Sequence, residues 1–173
     1  MTAHGAAPQK HMRFYDAFGL EPALSLDAEE LKKRFYERSR QWHPDRFSRA
    51  SSAEQEKALE MTAVLNDAFR TLRDPIARAE YFLKEKGIEL SKEAPPELLE
   101  EVFELNMALE ELRDGDESTR PQLIDAKNRF IAMRDSIDQS LAATTDLEDV
   151  RALLNRRRYI RNLIKEVENV LPN

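Results

Sequence analysis

The chain interrupts a strongly helical pattern with a proline, and that proline constrains the fold more than any other residue. Pro44 follows an amphipathic, basic segment that ends at Trp42, and a second helical pattern begins after a short loop near Ser51. Proline lacks a backbone N–H and forces the preceding residue out of the helical region, so the first helix must end here. We therefore predict an antiparallel pair of helices with a corner triplet, His43-Pro44-Asp45, at the turn between them.

The corner triplet has side chains suited to contact with another molecule. Corners between packed helices are exposed yet hold their shape. His43 offers a donor and an acceptor at neutral pH, and Asp45 offers an acceptor that either fixes the turn or meets a cationic partner. The alternative interpretation is a helix stop with an incidental histidine and a turn aspartate. The bare tripeptide favours that alternative, whereas its surroundings favour a contact site.

Apolar residues recur at the helical period on both helices and define the faces that meet. The stripe of the first helix comprises Leu31, Phe35 and Trp42, with Lys33, Glu37 and Arg40 opposite. The facing stripe comprises Ala58, Met61, Leu65, Ala68, Phe69 and Leu72. We assign a structural role in this core to Phe14, Phe18, Phe35 and Phe69.

The rest of the sequence is also helical in pattern. No segment alternates at the strand period, and only four of the 173 residues are glycine, which favours an all-α protein. We predict helices over 12–19, 27–42, 52–73, 75–86, 95–113, 118–142 and 146–171. The predicted organisation is a flexible tail (1–11), a first domain (12–86), a linker (87–94) and a second domain (95–173). Three long helices with short connections predict an antiparallel three-helix bundle for the second domain.

Composition argues against several classes of function. The chain has no cysteine, which excludes a disulfide scaffold, a thiolate zinc site and a cysteine-ligated cluster and fits the cytoplasm. No apolar run approaches the length of a membrane span. No carboxylate pair, nucleophile–base set or glycine-rich phosphate loop is evident, so we expect neither an enzyme nor a bound cofactor. The spacing of His4, His11 and His43 does not support a metal site.

Charge is distributed unevenly along the chain. Residues 31–49 carry seven basic and two acidic side chains, whereas residues 95–117 carry nine acidic and one basic. The whole net charge of −6 belongs to residues 95–173. Opposite local fields suggest two faces for two different partners.

The helix that begins at Pro95 has more apolar surface than a bundle needs. Its core stripe comprises Leu98, Val102, Leu105, Leu109 and Leu112, and a second stripe comprises Leu99, Phe103 and Met107. Glu100, Glu104 and Glu111 flank the second stripe. A contiguous apolar strip rimmed by carboxylates is typical of a protein-binding groove. Burial against the first domain or against a second copy of the chain is the alternative.

The last helix carries an aromatic residue away from its core. Its predicted core stripe comprises Leu153, Ile160, Ile164, Val167 and Leu171. Tyr159 lies off that stripe, beside the run Arg156-Arg157-Arg158. Because this half of the chain is acidic, we interpret the arginines as a solvated helix face rather than a nucleic-acid site.

The order of these segments resembles a known module. A short aromatic helix at 13–20, the basic helix, the corner triplet and the segment from Leu65 to Pro75 follow one another as in a J-domain. J-domains are the modules through which DnaJ-class co-chaperones stimulate DnaK-class ATPases. The resemblance covers about residues 12–86 and implies a chaperone-binding surface formed by Lys32, Lys33, Arg34, Arg40, His43, Pro44, Asp45 and Arg46.

With the second domain included, the chain resembles the HscB family, the J-proteins of iron–sulfur cluster assembly. Phe47 and the segments 72–75 and 78–83 also fit that family. The resemblance implies two partners, an HscA/DnaK-class ATPase chaperone and an IscU-like scaffold protein. The implied scaffold-binding residues are Leu99, Phe103, Glu104, Met107, Glu111 and Tyr159.

The sequence departs from the family pattern at three of these positions. Met107 stands where a carboxylate is expected, Arg46 replaces the commoner lysine, and Glu37 occupies a position that is often basic. The expected function is a monomeric, non-enzymatic co-chaperone that stimulates its partner's ATPase and aids cluster assembly and transfer. The alternatives are a J-protein with a different client and a helical interaction protein that stimulates no ATPase.

Overall fold

Every regular element of residues 13–172, the part of the chain that the structure describes, is helical in this computed structural model. The α-helices in that range are α1 (Arg13–Asp16), α2 (Ala28–Gln41), α3 (Ser52–Arg73), α4 (Pro75–Glu85), α5 (Leu99–Arg113), α6 (Arg120–Ala143) and α7 (Leu147–Val170). Short 3₁₀ turns occupy Pro44–Phe47, Pro96–Leu98 and Glu117–Thr119. The predicted all-α class is confirmed.

The chain divides into two compact units between Glu89 and Leu90. This division falls within the segment 87–94 that we predicted as a linker. The predicted tail at 1–11, with His4 and His11, lies outside the described residues.

Local chemistry explains where the helices begin and end. Asp27 caps α2 by accepting hydrogen bonds from the backbone N–H groups of Glu29 (2.9 Å) and Glu30 (3.1 Å). Ser51 and Glu54 form a reciprocal capping box at the start of α3, which satisfies two backbone donors that have no partner within the helix. Asp74 caps α4, and Pro75 occupies its first turn, where no N–H is needed.

The first helix is shorter than the predicted 12–19. The backbone N–H of Leu20 donates to the carbonyl of Tyr15 (3.0 Å), and the N–H of Gly19 donates to that of Asp16 (3.0 Å). Gly19 has a φ of 60°, a left-handed conformation that glycine adopts without a Cβ penalty. This pair of bonds is a Schellman ending, which closes the helix early.

The first unit is built on the predicted α2–α3 pair. Phe35 and Phe69 stack with ring centroids 4.2 Å apart, and Leu31 and Leu65 are fully buried beside them. The most enclosed aromatics are Tyr15 and Phe18, of which only Phe18 was predicted to be in the core.

Tyr15 is buried because its one polar atom has a partner. Its hydroxyl donates to the carbonyl of Ala23 at 2.7 Å, and burial raises the pKa of Tyr15 to about 12. Arg78 reaches the same loop and donates from Nε to the carbonyl of Leu24 at 2.8 Å. Together these contacts fix the segment between α1 and α2.

The second unit is a bundle of α5, α6 and α7, in which α6 and α7 form the most extensive pairing. The core includes Leu105 and Leu109 of α5 and Leu123 and Phe130 of α6. The predicted stripe of α7 was wrong at two positions, because Leu153 and Leu171 are only half-buried. Val150, Leu154 and Leu163 take their place among the buried residues with Ile160, Ile164 and Val167.

Candidate interaction surfaces

The corner triplet lies at the turn between α2 and α3 and remains exposed. Pro44 begins the 3₁₀ turn, and Nδ1 of His43 accepts a hydrogen bond from the backbone N–H of Asp45 at 3.2 Å. His43, not Asp45, therefore fixes the turn. The Asp45 side chain is 93% exposed and stays available to a cationic partner.

This hydrogen bond also fixes which nitrogen of His43 is free. A neutral imidazole that accepts through Nδ1 carries its proton on Nε2. The His43 side chain is 58% exposed, so the corner presents an N–H donor and, two residues later, a carboxylate acceptor. Such a pair can bind a partner group that has both hydrogen-bonding functions.

An aromatic brace holds the corner from beneath. Trp42 and Phe47, on either side of the triplet, stack with ring centroids 5.8 Å apart and planes 6° from parallel. The Thr62 hydroxyl of α3 shares its proton between the carbonyls of Ala58 (2.8 Å) and Trp42 (3.2 Å), and the Lys57 ammonium lies 5.8 Å from the Trp42 ring centre. The brace connects the corner to α3 and limits the conformations that its backbone can adopt.

The basic residues predicted for this surface do not all behave alike. Lys32, Lys33, Arg40 and Arg46 are exposed, and none has an ion-pair partner among the described residues. Arg34 instead points inward. Its guanidinium donates to the carbonyls of Phe18 (2.8 Å) and Gly19 (2.9 Å) and to the carboxylate of Glu30 (3.0 Å). Arg34 thus fastens the end of α1 to α2.

The second apolar stripe of α5 is exposed. Leu99, Phe103 and Met107 have 56%, 67% and 47% of their surface accessible. The core face of the same helix buries Leu105, Ala108 and Leu109. Glu104 and Glu111 are also exposed, so five of the six residues predicted for scaffold binding form one surface along α5, which we call the α5 surface.

Tyr159, the sixth residue, lies on α7 and is half-buried. No ring contact joins Tyr159 to Phe103 within the described part of the chain. Glu97, just before α5, lies 3.2 Å from the Nε of Arg156 on α7, which brings the start of α5 close to the turn that precedes Tyr159. The Nε–H of Arg156 makes no hydrogen bond, so this contact is an electrostatic one with poor geometry.

The prediction that Arg156-Arg157-Arg158 forms a solvated face was wrong for two of the three residues. Arg157 is mostly buried and donates from Nε to the Asp138 carboxylate on α6 at 2.5 Å. Arg156 is engaged with Glu97, and only Arg158 is exposed. The periodicity that places Leu154 and Ile160 in the core also turns Arg157 towards α6, where an acidic partner makes its burial tolerable.

No group of three or more histidine, cysteine, aspartate or glutamate side chains within residues 13–172 is arranged to hold a metal ion. None of the helices in that range is both long enough and apolar enough to cross a bilayer.

A braced helical pair with an exposed His-Pro-Asp corner and a basic α2 defines a J-domain protein. The DnaJ domain family matches residues 13–81, and the family described as the HSCB C-terminal oligomerisation domain matches residues 94–168. The HscB co-chaperone homologue of Neisseria meningitidis serogroup C is 30% identical over 171 residues, which span 92% of this chain and 99% of the relative. The chain belongs to the HscB family of co-chaperones.

Solved structures agree with this assignment. The chaperone HscB from Vibrio cholerae matches 91% of this chain and 96% of its own, with a TM-score of 0.59 and 30% identity. The human co-chaperone protein HscB matches 96% of this chain and 85% of its own, with a TM-score of 0.64 and 23% identity. At 23% identity, the match to the human protein supports the fold alone. The family resemblance predicted from the sequence is confirmed.

Proposed function

We propose that this co-chaperone stimulates ATP hydrolysis by an HscA/DnaK-class chaperone through its J-domain and carries an IscU-like iron–sulfur scaffold on its C-terminal bundle. The observation that carries the proposal is the corner triplet, an exposed N–H donor and carboxylate held by an aromatic brace. In this role the protein aids cluster assembly and transfer and performs no chemistry itself. We expect it to act in the cytoplasm as a monomer.

The first step is encounter with the chaperone. The exposed cations Lys32, Lys33, Arg40 and Arg46 attract an acidic surface and raise the rate of association. The exposed groups of His43 and Asp45 then bond to the chaperone's switch elements, which couple substrate binding to hydrolysis. The aromatic brace keeps these groups in place before the encounter, so little conformational entropy is lost on binding.

The second step is delivery of the scaffold. The α5 surface offers three apolar anchors with carboxylates at its edge, an arrangement that fits a partner with an apolar patch and basic neighbours. Because one chain binds both proteins, the scaffold is held at a high effective concentration near the chaperone.

The ATPase claim is tested with the variant His43→Gln. We expect this variant to lose stimulation of the chaperone's steady-state ATP hydrolysis and to keep the helicity of the parent, because the side chain has little packing to lose. The readout is the rate with saturating co-chaperone, with circular dichroism as the control for folding. Stimulation within twofold of that of the parent would contradict the proposed stimulation through the J-domain.

The scaffold claim is tested with Phe103→Ala. Truncation of an interface anchor costs about 2 kcal/mol, or roughly thirtyfold in affinity, and calorimetric titration with the scaffold measures it. Ile124→Ala is the matched control, since Ile124 is also exposed (47%) and lies on α6 of the same bundle. An equal effect of the two substitutions would contradict the proposal.

A second copy of the chain is the competing occupant of the α5 surface. The C-terminal family is described as an oligomerisation domain. Sedimentation of the same variants therefore measures their oligomeric state. Under the proposal the parent sediments as a monomer at micromolar concentration. A dimer that Phe103→Ala dissociates would assign the α5 surface to self-association instead.

A further inference from the structure

Tyr36 is an exposed aromatic residue beside the corner triplet that the sequence motif does not include. It lies on α2, one turn before Arg40, and 54% of its surface is accessible. Together with Ser39, Arg40, His43 and Arg46 it lines an open cavity of about 620 Å³. An aromatic ring at the edge of a basic cavity is not needed for the core of the hairpin.

The Tyr36 ring is held in place by the core beneath it. Its centroid lies 5.7 Å from that of Phe35 at an angle of 50°, and Phe35 in turn stacks on Phe69 of α3. The Tyr36 hydroxyl has no hydrogen-bond partner within residues 13–172. A ring that is fixed on one side and open on the other loses little entropy when a partner covers it.

The charges around the cavity define what can fill it. Among the described residues its lining contains two arginines and no carboxylate, and neither Arg40 nor Arg46 has an ion-pair partner there. An apolar group that enters beside Tyr36 is favoured by contact with the ring, and acidic groups on either side of it are favoured by the arginines. A basic segment is disfavoured by the arginines, and a segment without an apolar side chain makes no favourable contact with the ring.

We propose that Tyr36 is an apolar anchor of the chaperone-docking surface, and that this cavity takes an apolar side chain of the chaperone flanked by carboxylates. The inference rests on the proposed function and adds to it a specificity residue outside the His-Pro-Asp motif. The two parts of the surface then have different roles. Tyr36 contributes binding affinity, and the corner triplet contacts the switch elements of the chaperone.

The test compares Tyr36→Ala with Leu59→Ala in the full chain. Leu59 lies on α3 of the same unit and is 59% exposed, which makes it a control for loss of an exposed apolar side chain. We expect Tyr36→Ala to weaken binding to the chaperone about tenfold or more, as measured by titration into the purified ATPase. Tyr36→Phe should keep most of the affinity, because it retains the ring and the hydroxyl has no hydrogen-bond partner within residues 13–172. Melting temperatures of all variants control for folding.

The outcomes separate this inference from the function on which it rests. If Tyr36→Ala and Leu59→Ala bind within twofold of each other while His43→Gln abolishes stimulation, the anchor role is wrong and the J-domain function stands. If His43→Gln stimulates normally, the proposed function itself fails. If Tyr36→Phe binds as weakly as Tyr36→Ala, the anchor acts through its hydroxyl and the apolar proposal is overturned.

Discussion

His43 combines two tasks in one ring. Its Nδ1 accepts the N–H of Asp45 and so shapes the corner, which leaves Nε2 of the neutral ring as the donor for a partner. Sequence alone indicated a histidine with a donor and an acceptor but could not assign either atom, because the backbone geometry of the turn decides which nitrogen meets the N–H. Of the two roles left open for Asp45, fixing the turn falls to His43, and the Asp45 carboxylate, 3.6 Å from Nδ1 of His43, remains exposed.

The two tasks of His43 can be separated by substitution to asparagine. The Asn Oδ1 atom stands close to the position of Nδ1 and can accept from Asp45, whereas nothing replaces the Nε2 donor. We expect His43→Asn to retain the thermal stability of the parent and to lose at least tenfold in chaperone stimulation. If His43→Asn stimulates as well as the parent, the corner acts through its shape and the outward donor is irrelevant.

At the scale of elements, α2 has two charged surfaces with different roles. Arg34 bonds to two carbonyls at the end of α1, whereas Lys33, its sequence neighbour, is exposed and unpaired within the described chain. The J-domain resemblance grouped Arg34 with Lys33 in one basic surface. It could not predict that a carbonyl pair at the Schellman ending of α1 would capture one of them.

This difference predicts opposite phenotypes for two substitutions that remove the same charge. Arg34→Met should destabilise the first unit by about 2 kcal/mol, because hydrogen bonds to a charged donor are lost and two carbonyls lose their partner. Lys33→Met should change stability by less than about 0.5 kcal/mol and slow association with the chaperone. Chemical denaturation and stopped-flow binding measure the two effects. Similar stabilities for both variants would refute the structural role of Arg34.

Helix bounds and helix faces differed in how well the sequence predicted them. The six long helices were predictable to within a few residues, because caps such as Asp27 and the capping box at Ser51 are local signals. The exposed face of α5 was predictable because its two apolar stripes are distinct. The buried face of α7 was predictable in part, because Ile160, Ile164 and Val167 are buried as predicted. Leu153 and Leu154 are both apolar and both fit a helical period with these residues, so the sequence did not distinguish them. The burial of Arg157 depends on Asp138, nineteen residues away, and no local pattern carries that information.

At the scale of the whole molecule, the chain has a locally basic surface in one compact unit and an acidic, apolar surface in the other. The net charge of residues 95–173 is −6, while α2 and its corner are locally basic. Partners with opposite surface charges can therefore bind without competing for the same site. In the function proposed above, the two partners are coupled because one chain binds both of them.

The most direct test of this account is single-turnover ATP hydrolysis by the chaperone in the presence of scaffold. The scaffold concentration is kept too low to saturate the chaperone when the co-chaperone is absent. The parent chain and scaffold together should accelerate hydrolysis by more than the product of their separate effects. Phe103→Ala should remove the excess and keep the stimulation due to the J-domain, whereas His43→Gln should remove both. A parent chain whose effect with scaffold merely equals that product, or a His43→Gln variant that retains the excess, would contradict the claim that one molecule couples these two partners.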